Sequence, residues 1–107
     1  MKTSSLKADL IDLAKGTDSP SLLTRDQGYR LRIEVMERLT LSDKVTLDLS
    51  RAQALSPSFA DELFAGLEKE LGSEFARRVR ISGARTEWQR LISSALQHRR
   101  SQANSAT

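Results

Sequence analysis

Leu55-Ser56-Pro57-Ser58-Phe59-Ala60-Asp61-Glu62-Leu63-Phe64-Ala65-Gly66-Leu67, arriving soon after Val45-Thr46-Leu47-Asp48-Leu49-Ser50, decides the fold. The earlier segment alternates apolar with polar residues at the period of a strand. Ser56, Pro57 and Ser58 then supply the cap and first-turn residues that open a helix. Phe59, Leu63, Phe64, Leu67 and Leu71 follow on one helical stripe, Asp61 and Glu62 suit its positive N-terminal end, and Gly72 is a natural stop. A strand, a loop and a helix over residues 57–71 are therefore expected.

Upstream, Ala8 to Ala14 is short and apolar with two acids, and the turn-rich run Gly16 to Pro20 follows, so a first strand is expected over 8–14. Thr24-Arg25-Asp26-Gln27 has capping-box spacing and predicts a helix starting at Thr24. The next residues conflict. Tyr29, Leu31, Ile33 and Val35 alternate with charged residues as in a strand, yet Gly28, Leu31, Val35 and Leu39 fall at helical spacing. The capping box favours helix over 25–40. Downstream, Arg77 to Ser82 reads as a strand with Val79 and Ile81 inward. Thr86 and Gln89 repeat the capping-box spacing, and Trp88, Leu91, Ile92, Ala95 and Leu96 mark a third helix to about Arg99. The small, polar run from Ser101 to Thr107 has no periodicity and reads as a flexible tail, leaving about 6–99 as the ordered part of one domain spanning 1–107.

Strands alternating with helices argue for an α/β fold with a mostly parallel sheet of three to four strands and three main helices. Ser21-Leu22-Leu23 is the place for the extra short strand.

The chain has 107 residues, 29% charged and 38% apolar, a globular composition that suits one core. It has no Cys, so disulfides and thiolate metal sites are excluded and a reducing cytoplasm is the expected compartment. No leader-like apolar run and no membrane-spanning run is present, which implies a soluble, non-exported protein. The net charge of +3 is uneven. Residues 1–73 hold 10 Lys+Arg against 12 Asp+Glu, whereas residues 74–107 hold 7 Arg against 2 Glu. Such a basic end either attracts nucleic acid or is solvated charge.

Leu23-Thr24-Arg25-Asp26-Gln27-Gly28, taken with Val45 to Ser50 running into Ser56 to Leu63, resembles the STAS-like domain family of unknown function. That family is a bacterial relative of the sulphate transporter and anti-sigma factor antagonist domain. The resemblance spans about Leu6 to Arg99 and implies a small α/β sandwich. It also suggests a regulatory module whose partner is another protein, such as a kinase-like ATPase. In the antagonists a kinase modifies a Ser at the start of the helix after the strand. Ungapped alignment puts Pro57 at that acceptor, with Ser56 and Ser58 on either side.

In a parallel sheet the loops leaving the strand carboxyl ends share an edge, so Thr24-Arg25, Ser56-Pro57-Ser58 and Ser82 to Arg85 are expected to converge there. Three helix N-termini beside Arg25 and Arg85 would attract an anion, which makes a small nucleotide- or anion-binding module a further alternative. Arg25 with Asp61 reads equally as an ion pair tying two helix starts together. Thr24, Arg25, Ser56, Ser58, Asp61 and Glu62 thus form the candidate partner surface, together with the outward face of the 57–71 helix. Ser56 and Ser58 are either plain caps or phosphate acceptors. Arg77, Arg78, Arg80, Arg85, Arg99 and Arg100 are the alternative, nucleic-acid surface, without interleaved exposed aromatics. Phe59, Phe64 and Trp88 read as core. His98 suits the negative C-terminal end of its helix. One His without Cys offers neither a nucleophile-base pair nor a usual metal site, and adjacent Asp61 and Glu62 diverge, so neither catalysis nor a cofactor is expected.

Overall fold

The computed structural model describes residues 8–105, with side chains to residue 98. Strand β1 (Ala8–Asp12) gives way at once to a single helical turn, α1 (Leu13–Gly16). Asp12 causes the change, because its carboxylate accepts hydrogen bonds from the N–H groups of Ala14 and Lys15 and so caps the turn. The strand expected over 8–14 is accordingly shorter.

Strand β2 (Ser21–Leu22) lies where the extra strand was expected. It pairs in parallel with β4 (Ala54–Leu55) as a separate two-stranded sheet and does not widen the main one. Helix α2 (Arg25–Leu39) starts with the capping box intact, Thr24 and Gln27 satisfying each other's ends. The period conflict resolves by burial: Gly28, Leu31, Val35 and Leu39 are buried, whereas Tyr29 and Ile33 are 50% and 44% exposed.

Strand β3 (Lys44–Asp48) is the centre of the main sheet. After β4 come α3 (Pro57–Ala60), a π-helical turn (Asp61–Ala65) and α4 (Gly66–Leu71), stacked end to end as one central helix. Gly72, at φ +58°, ends it in a conformation that side chains resist. A 3₁₀ turn (Gly72–Glu74) and helix α5 (Phe75–Arg78) lead into β5 (Val79–Ser82). Arg77 and Arg78 are thus helical, not part of the strand expected from Arg77. Helix α6 (Thr86–Ser105) runs past Arg99, so the polar run from Ser101 continues the helix as far as Ser105. Its first bond runs from Gln89 N–H to the Arg85 carbonyl, which makes Arg85 the cap residue rather than Thr86.

The main sheet is β1-β3-β5, parallel throughout. Leu47 lies between Ile11 and Ile81, and Val45 between Asp9 and Val79. This face packs on α2, the central helix and α6 through Leu31, Val35, Phe59, Leu63, Phe64 and Ile92. The opposite face carries the row Leu10, Thr46, Arg80, and Leu10 there is 58% exposed. Parallel sheets are ordinarily covered on both sides. Among the described residues this one is covered on one side.

Candidate functional site

Ser56 and Ser58, two residues apart, have different surroundings. The Ser56 hydroxyl donates to the Leu23 carbonyl at 2.6 Å and accepts from the Phe59 N–H at 3.1 Å, while its own N–H reaches the Leu22 carbonyl. It closes the central helix and ties it to the chain entering α2. Ser58, half-buried at the second helical position, makes no side-chain hydrogen bond among the described residues.

Beside them, the Arg25 guanidinium contacts Asp61 at 2.9 Å and Glu62 at 3.6 Å. The hydrogen bond and charge of Asp61 raise the Arg25 pKa above its ordinary value. The starts of α2 and the central helix are thus fastened across their tips. Thr24 is held by its role as a cap, its hydroxyl accepting from the Gln27 N–H.

These residues form one side of an open groove of about 580 Å³. Arg25, Pro57, Ser58 and Asp61 make that side, and Leu91, Ser94, Ala95 and His98 of α6 make the other. Ser82 to Arg85, expected beside these residues, do not line this groove. Helix α6 borders the groove with its middle turns, and Arg85 lies nine residues before Ser94, about 13 Å along the helix. Arg85 instead stacks on the Trp88 ring, 4.4 Å from its centroid. Gly83 meets the exit of β3, where an added Cβ would stand 2.7 Å from Ser50 N and 2.8 Å from Asp48 Oδ1. With φ +72° as well, that position suits only glycine.

His98, assigned from sequence to the helix-end dipole, faces this groove, with Leu91, Ser94 and Ala95. The signal is the spacing 91, 94, 95, 98, one helical stripe. Leu91 and Ala95 do pack against the core, but as half-buried margins of it, with their outer edges on the groove.

Glu62 points along the interface between α2 and the central helix. It meets Arg32 at 2.5 Å, and Arg32 also meets Glu70 at 2.7 Å. Burial works against the Arg32 charge, yet the hydrogen bonds and charges of Glu70 and Glu62 prevail and its pKa is raised. The helices come close because Gly28 sits against Phe59 O and Glu62, and Gly66 against the Arg32 side chain. Asp61 and Glu62 open the π turn, so the wider turn carries both acids. Most of the central helix is buried or half-buried, so the outward face expected for 57–71 narrows to exposed Pro57, Lys69 and Glu70 with half-buried residues such as Ser58 and Asp61.

The arginines of the nucleic-acid surface are dispersed. Arg77 pairs with Glu74 and lies 3.8 Å from Asp43. Arg78 donates to the carbonyls of Leu39, Ser42 and Asp43, closing the C-terminal end of α2. Arg80 lies near the start of β5 and Arg85 beyond its end, while Arg99 and Arg100 belong to the last turns of α6. Asp48, Ser50 and Ser82 form a cluster that sequence reading passed over: Ser50 Oγ donates to Asp48 at 2.8 Å and Ser82 Oγ at 3.3 Å. Nothing in their spacing announces it, since the register of β3 on β5 brings them together.

A parallel β1-β3-β5 sheet with helices on one face among the described residues, and a groove at the helix starts beyond it, define a small α/β domain. Residues 27–87 match the family model described as a STAS-like domain of unknown function, and the chain belongs to that family. No curated protein and no solved structure matches the chain. The matched segment contains Ser56, Ser58, Asp61 and Glu62 but stops before the α6 side of the groove.

Proposed function

We propose that this chain is a regulatory or adaptor module that binds another protein in the groove between Ser58 and His98, and that Ser58 is its modifiable residue. The observation carrying this reading is the contrast between the two serines. Ser56 is committed to capping, whereas Ser58 has a free hydroxyl on the groove wall. Leu91 and Ala95 offer apolar contact, and Arg25, Asp61 and His98 offer polar specificity at the margins. A phosphate on Ser58 would sit in the first helical turn, where the helix dipole favours it, and would compete with Asp61 for Arg25. The Arg25 clasp would then be the element that changes state, altering the groove a partner meets. A cytoplasmic setting with an ATP-dependent Ser kinase or kinase-like ATPase as partner suits this chemistry.

Quantitative affinity capture from the source organism tests the reading. A protein retained by the unmodified chain should fall about tenfold in recovery with Ser58→Glu and with Ala95→Arg, and remain with Lys44→Ala on the opposite side. Equal recovery across all four chains would refute the groove as the docking site.

A further inference from the structure

The uncovered face of the main sheet holds a second cavity, of about 400 Å³, at the end where the strands begin. Lys44, Arg77, Arg78 and Arg80 line it with Thr46, and no carboxylate does among the described residues. Strand register produces the arrangement. Arg80 is the cross-strand neighbour of Thr46, and Lys44 lies two residues earlier on the same face of β3. Two of the four cations have work elsewhere: Arg77 pairs with Glu74, and Arg78 donates to three carbonyl oxygens through Nε and Nη2. Lys44 and Arg80 have no carboxylate partner among the described residues.

We infer that this cavity binds a compact anion carrying linked phosphates, held by Lys44 and Arg80 with the Thr46 hydroxyl between them. The planar fork of Arg80 suits two phosphate oxygens at once, and Lys44 adds a point charge. Among the described residues no aromatic side chain lines the cavity to stack on a base, and recognition rests on the phosphates. Two cations on neighbouring strands, rather than a long row of them, match a short diphosphate unit better than the extended backbone of a nucleic acid strand. This site is separate from the Ser58 groove and stands whether or not that groove binds protein.

Inorganic pyrophosphate is the probe. In isothermal titration calorimetry of the full chain at fixed ionic strength, binding is expected and should weaken at least about tenfold in the Lys44→Ala/Arg80→Ala double variant, with Arg25→Ala unchanged. Circular dichroism of the double variant separates lost binding from lost fold. Amide shift mapping on the unmodified chain provides a check free of mutation, with Lys44, Thr46 and Arg80 expected to move. Absence of heat and shifts, shifts confined to other residues, or affinity indifferent to the double variant would overturn the inference. So would a single-stranded oligothymidylate that binds at this face while pyrophosphate does not.

Discussion

Ser56 and Ser58 differ by their partners, and stability measurements should resolve the difference. Ser56→Ala removes a hydroxyl that both accepts from Phe59 N–H and donates to Leu23 O, so it should cost about 1 kcal/mol or somewhat more in urea denaturation. Ser58→Ala removes a hydroxyl with no partner and should stay within about 0.5 kcal/mol of the parent. Equal losses would mean that Ser58 is also a structural cap. The capping role of Ser56 is legible in the sequence because Ser-Pro-Ser before an apolar stripe is a local signal. The freedom of Ser58 is not, since it depends on where Leu23 and Asp61 arrive from elsewhere in the chain. Asp48 belongs to the same scale. The Ser50 hydroxyl first, then the Ser50 N–H and the Ser82 hydroxyl, hold its pKa below the ordinary carboxylate value despite partial burial. A depressed folded-state pKa adds stability that is present above the unfolded value, about 3.9, and is lost as pH falls through the folded one. Asp48→Asn should therefore be less stable than the parent at pH 7, with the gap closing below about pH 4 when both are unfolded by denaturant. A gap of constant size across that range would show that the charge of Asp48 contributes nothing.

Among the elements, α2 and the central helix are joined by a ladder of charges rather than by apolar side chains alone. Arg32 bridges Glu62 and Glu70, with only about a fifth of its side chain exposed. Arg32→Ala removes both of these charge-assisted hydrogen bonds from the helix interface and should cost about 1.5 to 3 kcal/mol, by the usual value of hydrogen bonds to charged groups. Denaturant titration checks this, and a change below about 0.5 kcal/mol would reduce the ladder to surface decoration. Element type was largely readable: the capping box at Thr24 and Gln27 outweighed the strand-like alternation of Tyr29 to Val35, and burial of Leu31 and Val35 shows why. Boundaries were less so. Asp12 stopped β1 by capping α1, and Arg77 and Arg78 remained helical because Arg78 is drawn to the carbonyls ending α2. Such long-range hydrogen bonds leave no local pattern. The π turn over Asp61–Ala65 is likewise invisible in a stripe of Phe59, Leu63, Phe64 and Leu67 that reads as ordinary helix.

For the molecule as a whole, the parallel sheet carries helices on one side and two separate surfaces elsewhere. The helix starts at Thr24 and Ser56 were foreseen together, and they do meet, through Ser56 and Leu23. The Arg85 loop was expected with them because all three follow strands. Helix α6 is long enough to bring its middle turns, Leu91 to His98, to the groove while its start remains at the end of β5. Membership of the STAS-like family was legible because its elements lie in local sequence, whereas the α6 side of the groove is a product of packing. Site-specific photo-crosslinking in the source organism addresses that groove most directly, with a benzophenone amino acid placed at Ser94 or, as control, at Glu87 near the other end of the same helix. An adduct to a second protein from position 94 and none from position 87 is the predicted result. Adducts from 87 alone, or equally from both, would contradict the assignment of the groove as the docking surface.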